Sequence, residues 1–424
     1  MSIGCGGKPA SKNRMNKELS DFAARLREAM AADGRVPRGP DSEHQSLNEG
    51  SWNSPLRDFN SLALELFALQ FQNNPAYRMI CRARRLTPQI IEHWTQIPAV
   101  PTASFKELEL TCLPPGERTA VFHSSGTTGQ KFSRHYHCPE SLKIYETSLW
   151  SWFEGNVLSD LRFTIYDLRS ENKSAICHRQ SAIFLTPPPE QAPHSSLVHM
   201  FETVRPKIGA SDSGFFGKIA ADGSWTLNFD SVLAALNSLL VTRHASLLLG
   251  TAFSLVHLLD YLDEKNLRFD LPAGSRVMET GGYKNRSRSM PKTELYAHIA
   301  ERLGIPPENI ICEYGMSELS SQAYDSVASD ARRVTDKGGT SRHLSPVTRH
   351  FHFPPWARVR IVSPETGCEV AEGETGLIQV FDLANVFSVM AIQTEDLAIR
   401  RGDGFILIGR AQMAERRGCS LMTA

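Results

Sequence analysis

The chain has 424 residues, 41% of them apolar and 22% charged, and its 46 Lys and Arg balance 46 Asp and Glu to a formal net charge of zero. That composition is ordinary for a globular protein, and the charge balance excludes binding to nucleic acid through an overall basic excess. The eight cysteines are scattered with no CxxC pair, which excludes a disulfide framework or a thiolate zinc site and points to free thiols in a reducing cytoplasm.

Residues 1–50 are rich in Gly, Pro, Ser, Asn and charge and read as a flexible polar tail, with one short amphipathic helix expected around Lys17 to Ala31. The opening MSIGCGGKPASKNR lacks the apolar segment of a secretory signal. A dense apolar helix, SLALELFALQFQ, follows Asp58 and is expected to end at Pro75; a second helix runs through AYRMICRARRL. Pro98, Pro101, Pro114 and Pro115 then break the chain into loops. Ala120, Val121 and Phe122 read as a short strand, followed at once by HSSGTTGQ and a helix from Leu142 to Phe153. Further helices are expected at SVLAALNSLLVTRH, AFSLVHLLDYLDEK and KTELYAHIAERLG, and strands at 357–362 and 376–381. The apolar run between His244 and Asp260 is interrupted by His257 and small polar residues, so it falls short of the ~20 clean residues of a membrane span. Strands alternating with helices imply an α/β fold, with a small β subdomain near the C-terminus. The expected division is a tail (1–50), an α/β core for nucleotide and acid (51–349), and the β subdomain with a short C-terminal arm (350–424).

The segment Ser124-Ser125-Gly126-Thr127-Thr128-Gly129 carries the most chemistry. Glycines let a backbone approach a bulky ligand, and successive N–H groups with hydroxyls make an anion cradle. The string is not a phosphate loop of the GxxxxGK[ST] kind, nor GxGxxG. Alternating histidines at 135/137 and 350/352 read as exposed strand decoration, not as a zinc site.

SSGTTG resembles the phosphate-loop signature of the adenylate-forming superfamily. More closely, the chain resembles the LuxE-type acyl-protein synthetases, with the phenylacetate-CoA ligase branch next nearest. Several further segments agree in order: IPAVPTASFKE (97–107), GTAFSLVHLL (250–259), ETGGYK (279–284), EYGMSELSSQAYD (313–325), PETGCEVAEGETGLIQV (364–380), QTEDLAI (393–399) and GFILIGRAQMAERRGCSLM (404–422). The resemblance spans residues 58–422. It implies the large N-terminal-type domain of these enzymes, with sheets flanked by helices. The chain's end at Ala424 is read as absence of the C-terminal lid that ordinary acyl-CoA ligases carry.

The same resemblance implies ATP and Mg²⁺ as cofactors and a carboxylic, probably fatty, acid as substrate. Ser124, Ser125, Gly126, Thr127, Thr128 and Gly129 would hold phosphates. Glu318 would ligate the metal, and Ser317 would contact the α-phosphate or the metal. Gly281, Gly282, Tyr283, Tyr314 and Gly315 would line the adenine pocket, Asp396 would accept the ribose hydroxyls, and Arg410 would reach ribose or phosphate. Lys131 stands two residues after Gly129, where most relatives place a lysine three after, so no role is carried to it. Cys419, beside Arg416 and Arg417, matches the family's acylated cysteine; positive neighbours raise the thiolate fraction. The expected activity is acyl-adenylate formation, transfer to Cys419, and delivery to a protein partner such as an acyl reductase. The alternatives are a CoA or carrier-protein ligase, and a nucleotide-binding relative without catalysis.

Overall fold

The computed structural model describes residues 12–33, 56, 58–124, 131–158, 181–281, 290–327 and 349–410. Its helices are α1 (Lys12–Asp33), α2 (Phe59–Asn73), α3 (Pro75–Ala83), α4 (Ser104–Glu107), α5 (Pro139–Phe153), α6 (Ser196–Ile208), α7 (Phe229–Thr242), α8 (Ala252–Glu264) and α9 (Lys292–Leu303). Its strands are β1 (Val100–Pro101), β2 (Ala120–His123), β3 (Arg134–His137), β4 (Ser181–Phe184), β5 (Gly214–Phe215), β6 (Gly217–Ile219), β7 (Trp225–Leu227), β8 (Ser246–Thr251), β9 (Arg276–Thr280), β10 (Ile310–Tyr314), β11 (Ala323–Val327), β12 (Arg349–His352), β13 (Ala357–Val362), β14 (Thr375–Asp382), β15 (Ala391–Arg401) and β16 (Gly404–Arg410).

Twelve strands form one sheet, ordered β13-β14-β15-β16-β12-β11-β10-β9-β8-β4-β5, with β1 beside β15. The half from β10 to β5 is parallel, and the half from β10 to β13 is antiparallel. The strands expected after residue 350 therefore continue the main sheet. The parallel strands β4, β8, β9 and β10 are buried on both faces, as helix-covered strands must be. Leu247, Leu249 and Met278 point into one core, whereas Leu248, Val277 and Ile310 point into the other. This alternation follows from the two-residue period of a strand.

The helix expected within the first fifty residues is α1. It is longer than its sequence pattern suggested, and it buries Leu19, Phe22, Ala23, Leu26, Ala29 and Met30 in the first core. Arg25 pairs with Glu65 of α2, and Ser20 donates to Glu140 of α5 at 2.7 Å. Helix α2 ends at Asn73 with Asn74 extended, as expected before Pro75, and Pro75 also opens α3, where a missing N–H costs nothing, with Asn74 capping that helix by accepting from Tyr77 N at 3.0 Å. The apolar side chains after Gly250 belong to α8, which packs Leu255, Val256, Leu258, Leu259 and Leu262 into the second core. Each such buried side chain contributes about 1.5–3 kcal/mol. No helix among the described residues is long and apolar enough to cross a membrane.

One buried side chain of α2 shapes the site from a distance. Gln70 donates to the carbonyls of Asn385 (2.7 Å) and Val386 (3.2 Å) and accepts from Met390 N at 3.0 Å. It thereby fixes the loop between β14 and β15.

Candidate active site

β2 and β3 form a hairpin with His123 opposite Arg134 and Ala120 opposite His137. In sequence the glycine loop lies between these two strands. Ser124 is described; Ser125, Gly126, Thr127, Thr128 and Gly129 lie outside the described residues. At the base of the loop, Ser133 N donates to Ser124 Oγ at 3.1 Å. Lys131 is exposed and pairs with Glu107 at 2.8 Å.

The hairpin is joined to the segment after β10. Ser133 Oγ lies 3.4 Å from Ser317 Oγ, and His135 Nδ1 lies 2.8 Å from the Ser317 carbonyl. A carbonyl only accepts, so Nδ1 carries the hydrogen. Burial pushes His135 down to about 4, against the opposing pull of that carbonyl, so the ring is neutral. The reading of His135 and His137 as exposed decoration is overturned: both are buried, and His137 meets Ser141 Oγ at 3.1 Å.

Ser317 and Glu318 occupy a turn pinned from several sides. Ser317 Oγ donates to Glu318 Oε2 at 3.0 Å, and the Glu318 carbonyl accepts from Asn385 Nδ2 at 2.9 Å. Asp382, at the end of β14, accepts from Ser320 N (2.9 Å), Ser321 N (2.8 Å), Ser321 Oγ (2.7 Å) and Ala384 N (2.9 Å). Burial lifts Asp382 to about 6 despite these donors. Ser133, His135, Asp382 and Asn385 were not among the sequence candidates; an inward strand histidine and a buried strand-end aspartate have no motif of their own.

At the other end of this segment, the Tyr314 hydroxyl donates to Asp396 Oδ2 at 2.9 Å. The Tyr314 ring packs edge-on against Phe351, Phe353 and Phe405. Strand register sets Arg410 opposite Asp396, and its Nε lies 3.7 Å from Asp396 Oδ1 while the rest of its side chain is 81% exposed. Burial raises the Asp396 carboxyl, whereas Tyr314 and Arg410 pull it down. Gly281 follows β9 directly and holds φ +66°, a conformation natural to glycine. Gly282, Tyr283 and Cys419 lie outside the described residues.

Five residues, 314 to 318, thus contact Asp396 at one end and the loop-bearing hairpin at the other. They lie at and just beyond the carboxyl end of β10, where open α/β sheets bind ligands.

Gly315 is required by its neighbours, since a Cβ there would run into Glu313 Oε1. Thr280 Oγ1 donates to the other oxygen of that carboxyl. Gly315→Ala is expected to cost about 1–3 kcal/mol by overpacking, read as a lower melting temperature. Burial raises Glu313 from 4.5 to about 7, with the Thr280 bond opposing and Glu279 adding to the rise. The folded state therefore holds its proton more tightly than the unfolded chain. Stability contributed by this group falls as pH rises from about 4.5 to about 7, then levels off, by at most about 3 kcal/mol. Glu313→Gln keeps an acceptor for Thr280 and does not titrate. Its stability relative to the parent is expected to rise across that window in urea melts. A flat difference would contradict the burial of an ionisable Glu313.

A model of the family described as "Acyl-protein synthetase, LuxE" matches residues 210–424, half of the chain. The long-chain-fatty-acid–luciferin-component ligase of Vibrio harveyi is 21% identical over 364 residues, covering 84% of this chain and 84% of that protein. The protein of the same name from Aliivibrio fischeri is 21% identical over 390 residues, covering 87% and 88%. Among solved structures, 2-hydroxyisobutyryl-CoA ligase in the postadenylation state with 2-HIB-AMP is similar with a TM-score of 0.56 at 12% identity, over 89% of this chain and 73% of that one. Its open conformation with 2-HIB-AMP and CoA gives 0.53 at 12% identity, over 82% and 73%. At such identities the structures show a shared fold.

Proposed function

The chain belongs to the LuxE acyl-protein synthetase family, and on that basis we propose that it joins a fatty acid to AMP from ATP, then takes the acyl group onto the Cys419 thiol for delivery to a protein partner. The observation that carries the reading is the linkage of the Ser124–Ser133 loop base to Ser317 and Glu318, within a segment whose first residue holds Asp396. The names of the two bacterial relatives support a long-chain acid as substrate.

In the first step the carboxylate oxygen attacks the α-phosphorus, forming a C–O–P link, while the bond to the β-phosphate oxygen breaks and pyrophosphate leaves. Two anions must meet, so the site's task is charge neutralisation and alignment. The loop hydroxyls and amides, from Ser124 to Gly129, cradle the β- and γ-phosphates. Ser317 donates to the α-phosphate or supports the metal. Asp396, already aligned by Tyr314, accepts the ribose hydroxyls, and the exposed guanidinium of Arg410 swings between Asp396 and ribose or phosphate. Gly281, Gly282, Tyr283 and Gly315 give the adenine a close backbone wall.

Glu318 fits a hard divalent ion. It is buried, one oxygen accepts from Ser317, and the other has no protein partner among the described residues. Among the described residues no group of three or more acidic, His or Cys side chains gathers as a metal cluster. Such a lone carboxylate suits Mg²⁺, which takes one or two protein carboxylates and completes its shell with water and substrate phosphates. Bound there, the ion would neutralise phosphate oxygens.

In the second step the Cys419 sulfur attacks the acyl carbon and AMP leaves, which gives a thioester that a partner such as an acyl reductase can take up. Incubation of the purified chain with ATP, Mg²⁺ and fatty acids of graded length, followed by mass spectrometry, tests the first step. Acyl-AMP is expected, and its absence at every chain length would refute the reading.

A further inference from the structure

A second reactive cluster lies under the start of α9 and takes no part in the steps above. Strand register sets Cys312 of β10 beside Glu279 of β9. Lys292, the first residue of α9, reaches over both. Its Nζ stands 2.6 Å from Cys312 Sγ and 2.7 Å from Glu279 Oε1. The same Glu279 oxygen accepts the Tyr296 hydroxyl at 3.0 Å. Cys312 is 2% exposed and Glu279 is fully buried. On the far side, Asp325 accepts from Cys312 N at 2.6 Å and is neutralised by Arg349 at 3.0 Å. An amine, a thiol and a carboxylate that can relay a proton are thus in mutual contact.

The amine–thiol contact is shorter than an ordinary N–H···O bond of ~2.7–3.2 Å, although sulfur is larger than oxygen. Two second-row or heavier atoms this close are within the span of a single bridging atom. The geometry points to Lys292 and Cys312 as the two ends of an oxidative cross-link, Nζ–O–Sγ, formed with dioxygen as the oxidant. The reaction balances: one N–H and one S–H bond break, N–O and O–S bonds form, and the second oxygen atom leaves as water. Nitrogen and sulfur each lose two electrons and dioxygen gains four. The lysine begins as an ammonium, and its extra proton passes to Glu279 and on to solvent. Burial pushes the Cys312 thiol up, and the Lys292 ammonium beside it pulls the other way. The link would tie the first turn of α9 to β10, two residues before Tyr314.

The test uses the full chain, purified with dithiothreitol and then held in oxygen-saturated buffer, alkylated after unfolding, and digested for tandem mass spectrometry. The expected product is one species joining the peptides of Lys292 and Cys312, heavier than their sum by about 14 Da, one oxygen gained and two hydrogens lost. Dithiothreitol should abolish it, and Lys292→Arg, which keeps charge and thiol, should never form it. Cys312 recovered as a free, alkylated thiol would overturn the inference. So would sulfenic or sulfinic Cys312 with Lys292 intact, or a direct S–N bond without oxygen.

Discussion

Glu318→Gln should lower acid-dependent ATP–pyrophosphate exchange by about 100-fold or more, the scale of removing a charge that stabilises a phosphoryl transition state. The replacement has the same shape, and its carbonyl oxygen still accepts from Ser317. The Glu318 backbone stays anchored by Asn385. The melting temperature should therefore stay within about 2 °C of the parent, because no buried partner is orphaned. Raising Mg²⁺ should recover little of the lost rate, since the missing element is the negative ligand. Exchange at the parental rate in a folded Glu318→Gln protein would remove Glu318 from the metal site and leave the turn a purely structural one.

The second large effect concerns the thiol. Cys419→Ser should abolish covalent acylation of the protein while leaving at least half of the pyrophosphate exchange. A serine hydroxyl is a far weaker nucleophile than a thiolate near neutral pH. Among the described residues the remaining cysteines divide by accessibility. Cys81, Cys112, Cys138 and Cys312 are buried, whereas Cys368 is exposed. Burial lifts Cys81 to about 11 and Cys112 higher still, so neither offers a useful thiolate. Cys368→Ser is the matched control and should keep the label. The readout is radiolabelled fatty acid retained on the denatured protein and released by hydroxylamine. Label that persists in Cys419→Ser but vanishes in Cys368→Ser would move the acceptor. CoA-dependent turnover untouched by Cys419→Ser would favour a CoA ligase.

Much of this site is legible from letters because its parts are short strings with fixed spacing. EYGMSE runs from the end of β10 into the turn at Ser317 and Glu318, and TED lies within β15, and sequence can name both; SSGTTG is named from sequence alone, since beyond Ser124 it lies outside the described residues. The supporting residues cannot be named in that way. Ser133 and His135 matter through contacts with Ser317, some 180 positions along the chain. The alternating RHYH pattern gave the period of a strand but not which side faced the core. The buried parallel strands were also hidden. Leu247, Leu248 and Leu249 of SLLLGT run together without alternation, as expected of a strand covered on both faces. The sequence therefore predicts a helix from Ala252 but no strand before it. The sequence pattern predicts α1 only from about Lys17 to Ala31, since its polar first turn has no apolar period to read. Pro75 marks the end of α2 and, from the same position, the start of α3, because proline both punctuates helix ends and opens helix starts.

The most direct measurement is incorporation of labelled pyrophosphate into ATP by the purified chain, with and without fatty acid, in the parent and in Ser317→Ala, Asp396→Ala and Glu318→Gln. If the segment 314–318 unites loop, metal ligand and ribose acceptor in one pocket, exchange requires the acid and all three substitutions depress it. Exchange that ignores the acid, or that survives all three changes in folded protein, would mean that adenylation does not occur there.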